Sequence, residues 1–205
     1  MKKIIVAMTG ASGQIYGVRL LELLRDIADV QTHLIVSDWA KKTLELESDK
    51  SIDYALSLAD CVYDINNQAA TLSSGSFKRD GMVVVPCSIK TLSAIANSYT
   101  ENLIVRAADV TLKERKRLIL AVRESPLHPG HLRLMTLAGE AGAVIAPPVP
   151  AFYNHPETLM DIIDHTVCRY LDLLELDAPN DKRWRGLSVG DATVAAGGRP
   201  QVCQE

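Results

Sequence analysis

A chain of 205 residues with 47% hydrophobic and 23% charged residues has the ordinary balance of one globular domain. It is long enough to bury a core without disulfide or metal staples. A net charge of −3 excludes any general electrostatic pull toward nucleic acid or an anionic membrane, so a bound phosphate must be held by local features. Cys61, Cys87, Cys168 and Cys203 make no C-x-x-C pair and read as reduced thiols of a cytoplasmic protein. No apolar run approaches the roughly 20 residues of a membrane-spanning helix. The basic, apolar start is too short for a signal peptide and runs directly into glycines.

Ile4 to Met8 is a continuous, β-branched apolar run, the pattern of a strand covered on both faces. From Ile15 the apolar positions Val18, Leu20, Leu21, Leu24 and Ile27 interleave with Arg19, Glu22 and Arg25, an amphipathic helix. His33 to Val36 is a second strand, and Ser37-Asp38 caps a helix over about 39–47. Met82 to Val85 is a third strand closed by Pro86, with a helix from Ser88 to about Asn97 and another over about 102–115. Leu118 to Val122 is a strand, His131 to Ala141 a helix and Val144 to Ala146 a short strand. Pro147-Pro148-Val149-Pro150 is a stiff link, and a long helix runs from Pro156 to about Leu176. Strands alternating with helices predict a three-layer, Rossmann-like (flavodoxin-like) α/β fold, a parallel sheet with helices on both faces. The domain is expected over 1–185. Residues 186–205, rich in Gly, Ala, Ser and Val without a clear period, read as a tail that is disordered or ordered by a partner.

Two strand ends carry polar turns. Thr9-Gly10-Ala11-Ser12-Gly13 joins the first strand to the first helix, where glycines admit a close ligand and free N–H groups face an anion. The spacing is neither G-x-G-x-x-G nor a P-loop, and the plain structural reading is a tight turn. Pro86-Cys87-Ser88-Ile89-Lys90-Thr91 ends the Met82–Val85 strand in the same way. Ser88 as a bare N-cap would contribute about 1 kcal/mol. Two such turns, with Ser37, on one sheet edge favour a shared mononucleotide site, because open α/β sheets bind ligands at the carboxyl ends of their strands.

Val6–Gly13 with Tyr16–Leu21 resembles the opening of the UbiX-type flavin prenyltransferases. Pro86–Leu92, Ala108-Asp109-Val110 through Lys113-Glu114-Arg115, Arg123–Leu127 and Pro147–Tyr153 extend the resemblance, in order, over about 1–175. Among these segments, Ile89 stands where the family more often has Met. The chain is most similar to members that accompany phenolic-acid decarboxylases. The resemblance implies an enzyme that joins a dimethylallyl group from dimethylallyl phosphate to N5 and C6 of reduced FMN, without a metal, for a UbiD-type decarboxylase of aromatic acids. It implies a homo-oligomer, a dodecamer built from trimers.

By the same resemblance, Gly10, Ala11, Ser12, Ser37, Ser88, Ile89, Lys90, Thr91 and Arg123 hold FMN. Tyr153, Arg169 and Lys113 hold the donor phosphate, Ser12 and Glu124 move protons, and Glu47 reaches the site from a neighbouring subunit. The residue types suit the chemistry: a departing phosphate needs cations, and an allylic cation needs a dry pocket with π-faces. The plain alternatives are a solvated charge run at Lys113–Arg117, an Arg169 pairing with Asp172 or Asp164, and a Tyr153 buried in the core. His128 and His131 lack a third ligand at suitable spacing, and Cys87 reads as a packed thiol. Three other functions compete. An NAD(P)H oxidoreductase would use Asp38 on a ribose but lacks the glycine spacing. A flavin-dependent cysteine decarboxylase would not need the Lys113, Arg123-Glu124 and Tyr153 set. A noncatalytic subunit would merely carry flavin.

Overall fold

The computed structural model describes residues 1–178, and the predicted tail lies outside them. The strands are β1 (Lys2–Met8), β2 (Val30–Val36), β3 (Cys61–Tyr63), β4 (Gly81–Cys87), β5 (Arg117–Val122) and β6 (Val144–Ile145). They form one parallel sheet in the order β3-β2-β1-β4-β5-β6. This is the doubly wound Rossmann order, whose direction of growth reverses between β1 and β4. The helices are α1 (Gln14–Arg25), α2 (Asp38–Glu47), α3 (Ile52–Ser57), α4 (Ile89–Ala96), α5 (Leu103–Lys113), α6 (Pro129–Glu140) and α7 (Leu159–Leu173).

Side-chain alternation along each strand feeds two cores. β1 sends Ile4, Val6 and Met8 to the layer of α1, α2 and α7, and Ile5 and Ala7 to the layer of α4, α5 and α6. β4 is buried along its whole length, as a central strand must be. Arg19 of α1 forks onto Asp164 of α7 and also holds Glu22, so these two neighbouring helices are tied by charge as well as by packing.

The expected elements are present with shifted ends. β2 begins at Val30 rather than His33, α6 starts at Pro129 under an N-cap by His128, and α7 is shorter at both ends, running between a Thr158 capping box and Leu173. The Met82–Val85 strand is the fourth, not the third. Ahead of it lie α3, the edge strand β3 and a 3-10 turn at Thr71–Ser73, none of which was foreseen.

Candidate flavin site at the switch point

β1 and β4 lie side by side and end together, so the turns that follow them share the carboxyl edge of the sheet. Thr9, buried just past β1, joins them. Its hydroxyl donates to Pro86 O at 2.8 Å and accepts from Ser88 N at 2.8 Å. The glycine loop is fixed from below by Gln14, whose Nε2 donates to the carbonyls of Thr9 and Ala11, both at 2.7 Å. Gln14 Oε1 is buried without a protein partner among the described residues. Gly13 enters α1 with φ of 94°, a left-handed conformation suited to glycine. A side chain on Gly10 would collide with the Cβ of Trp39, so glycine is needed there for α2 to approach.

Thr9, Gly10, Ser37, Ser88, Lys90 and Thr91 line one cleft of about 320 Å³, with Trp39, Ile65, Glu101, Asn102 and Ile104. Ser37 caps α2 by accepting from Ala40 N at 3.1 Å. Ser88 caps α4, accepting from Thr91 N at 3.3 Å and donating to Thr91 Oγ1 at 3.2 Å. Ile89 and Lys90 occupy the first turn of α4, where backbone N–H groups lack intrahelical partners. Ala11 and Ser12 belong to the glycine loop. Arg123 N donates to Cys87 O at 3.1 Å, which seats the residue after β5 next to the start of α4. Cys87 is buried and its thiol is pushed up to about 12 by burial, which leaves it a packed thiol rather than a nucleophile.

The cleft fits a flavin mononucleotide. It offers a helix N-terminus, three hydroxyls and a lysine for the phosphate, and its volume is at the lower end of the range of small-molecule sites.

Other sequence-derived site residues lie elsewhere. Glu47 reaches the glycine loop within its own chain. It closes α2 of the same chain, and its Oε2 accepts from Gly13 N at 2.8 Å and Gln14 N at 3.3 Å. Glu124 stands exposed beyond β5, with Oε1 accepting from Ser125 N. Lys113 is not brought to the cleft of its own chain. It ends α5, which returns to the amino edge of the sheet, and pairs with Glu114 at 2.6 Å. There it borders a separate basic hollow with Arg115, Lys116 and Arg117. Tyr153 is half exposed rather than a core aromatic, and its hydroxyl lies 2.9 Å from Nε2 of His165 on α7. Arg169, one turn further along α7, is exposed and 3.5 Å from Asp172 Oδ2. The lining residues Thr9, Trp39, Glu101 and Asn102 escaped sequence reasoning. Only Thr9 carried a signal, as the polar residue that ends a buried strand.

The Flavoprotein family model matches residues 1–163. The flavin prenyltransferase UbiX of Escherichia coli K12 is 57% identical over 188 residues, which cover 91% of this chain and all of that protein. The crystal structure of AnUbiX (PadA1) in complex with FMN and dimethylallyl pyrophosphate superposes with a TM-score of 0.89 at 50% identity, over 91% of this chain and 99% of that one. The dodecameric FMN-dependent UbiX-like decarboxylase of Escherichia coli O157:H7 superposes with a TM-score of 0.88 at 50% identity, over 90% of this chain and all of that one. With its switch-point cleft and this extent of likeness, the chain belongs to the UbiX flavin prenyltransferase family of flavoproteins.

Proposed function

We propose that this protein transfers a dimethylallyl group to N5 and C6 of reduced FMN. The observation that carries the reading is the cleft itself, two polar strand-end turns bound to each other through Thr9, in a chain 50% identical to a protein solved with both FMN and a dimethylallyl donor. The transfer breaks the allylic C–O bond and releases the donor's phosphate. A hydrogen leaves N5 and another leaves C6, and a proton is added to the isoprenoid chain.

The chain's residues divide this work. The α4 turn at Ser88, Ile89, Lys90 and Thr91, with Ser37, grips the flavin phosphate. Gly10, Ala11 and Ser12 let the ring approach the backbone, and Arg123 closes on it from the end of β5. Ser12 and Glu124 move the protons. Glu47, bonded to two amides of the loop, holds that loop in shape and is a positioning residue in this chain. Arg169, Tyr153 and Lys113 receive the phosphate of the donor, taken here as dimethylallyl phosphate. Lys113 serves from a neighbouring copy, since its own chain carries it on the opposite sheet edge. The assembly is accordingly a homo-oligomer, a dodecamer by likeness to the UbiX-like decarboxylase. The described residues include no helix long and apolar enough to cross a membrane. We place the enzyme in the cytoplasm, delivering its product to a UbiD-type decarboxylase of aromatic acids.

The test is direct. Aspartate is as good an N-cap as serine, so Ser88→Asp preserves α4 while setting a carboxylate against the phosphate. The folded variant is expected to lose FMN binding by fluorescence titration. It is also expected to lose the gain of one C5H8 unit in flavin mass that the wild type produces from reduced FMN and dimethylallyl phosphate. Unchanged affinity would remove the phosphate from this turn.

A further inference from the structure

A carboxylate is an unwelcome neighbour for a phosphate, yet Glu101 lines the proposed flavin cleft. It is held firmly. Its carbonyl accepts from Gln68 Nε2 at 3.0 Å, its N–H donates to Tyr99 O at 2.9 Å, and the next residue, Asn102, is the N-cap of α5. From that fixed turn its Oε1 reaches Lys90 Nζ at 3.1 Å, so the ion pair bridges the start of α4 and the start of α5.

The pair lines two hollows. One is the flavin cleft. The other, of about 350 Å³, is lined by Ser93, Ala94, Asn97 and Tyr99 together with the same Lys90 and Glu101. The two hollows meet at this ion pair, since Lys90 and Glu101 line both, and Tyr99 offers an exposed ring in the second.

We propose that the Lys90–Glu101 pair is a selectivity wall that ends the cleft after one phosphate and excludes flavin adenine dinucleotide in favour of FMN. The inference rests on the flavin-site reading above. A flavin whose monophosphate is seated on the α4 turn ends at Lys90. A dinucleotide has a second phosphate and an adenosine that must continue past that point. They would have to break the ion pair, and the second phosphate would meet the carboxylate of Glu101. Lys90 contributes a cation that a monophosphate can share, whereas Glu101 repels only what extends further. The hollow with Tyr99, Asn97 and Ser93 has a ring, an amide and a hydroxyl suited to a purine, so opening the wall would give the adenylate somewhere to lie.

FMN and FAD titrations, followed by flavin fluorescence on the intact assembly, test this. The wild type should bind FMN at least tenfold more tightly than FAD. Glu101→Ala should reduce that ratio at least tenfold, mainly by strengthening FAD, with FMN affinity unchanged or a few-fold tighter. Glu101→Gln keeps the shape and drops the charge. A reduced ratio in both variants assigns the wall to charge, and in the alanine variant alone to bulk; either supports the proposal. An unchanged ratio in folded forms of both variants, or a wild type that binds the two flavins equally, overturns it. Ser88→Asp in the same titrations separates the two readings. If it abolishes FMN binding while the ratio stays fixed in the Glu101 variants, only the wall fails. If it leaves FMN binding intact, the flavin-site reading falls and the wall with it.

Discussion

His33 shows how a single buried side chain can set the acid limit of the fold. It sits on β2 with Nδ1 2.9 Å from the Tyr63 hydroxyl and its ring edge-on to Phe77 at 5.0 Å, while Nε2 has no partner among the described residues. Burial lowers its pKa from the usual 6.5, and the positive charges of Lys3 and Arg79 lower it further against a smaller opposite pull from Asp60. In this pH range the unfolded chain therefore binds the proton more readily than the folded one. The resulting stabilisation is complete above pH 6.5 and is lost as pH falls from there toward the folded value, below which the effect levels off. Urea melts at several pH values should show wild-type stability declining through this window, and His33→Leu should flatten that part of the decline. An identical pH dependence in the two proteins would assign the acid sensitivity to other groups. Legibility at this scale depended on what fixes a side chain. Ser88, Ser37 and Gly10 were readable because caps and tight turns have local chemistry. The bond from Glu47 to the glycine loop of its own chain was not foreseen, because which loop a carboxylate at a helix end will meet is decided by tertiary packing. Glu101 gave no sign, since a charged loop residue ordinarily faces water.

Elements buried on both faces were readable, and those at the margin were not. β1, β4 and β5 each contain a continuous apolar run, Ile4–Met8, Met82–Val85 and Leu118–Val122. β3 has three residues, none of them fully buried, at the end of the sheet, so it carries neither an apolar run nor a clear alternation. The 61–80 segment is instead organised by one buried residue that pattern analysis would place on the surface. The guanidinium of Arg79 donates to the carbonyls of Leu72 at 3.1 Å, Ser74 at 2.6 Å, Phe77 at 3.4 Å and Ala107 at 3.2 Å. It thereby satisfies carbonyls in and just after the 3-10 turn and clamps that turn to α5. Arg79→Met keeps much of the apolar stem but leaves these carbonyls unpaired. It should destabilise the protein by on the order of 3 kcal/mol in denaturant melts. A loss below about 0.5 kcal/mol, the range of an ordinary surface substitution, would mean that water can replace the clamp.

At the scale of the molecule, residues proposed for the flavin gather at one cleft of a single chain, and those proposed for the donor do not. The flavin turns share the carboxyl edge, whereas Lys113 lies on the amino edge, Arg169 on α7, and Tyr153 before α7 with its hydroxyl against His165 of that helix. Chain order offers candidate residues but not which copy supplies each. Complementation between copies tests the division. Ser88→Asp and Lys113→Ala should each be inactive alone, and an exchanged mixture should recover a measurable fraction of wild-type turnover, because some sites then draw an intact Ser88 and an intact Lys113 from different chains. A mixture no more active than its parents would place both residues in one chain's site. The Thr9 hydroxyl has a separate consequence for how the flavin half is formed. It donates to Pro86 and accepts from Ser88, 77 and 79 residues away in sequence, and so joins its own turn and the turn after β4 into a single rigid surface. Most of the conformational entropy needed to shape the cleft is lost when the chain folds. An incoming flavin then meets donors already in place, and its binding energy goes into contacts rather than into ordering the protein.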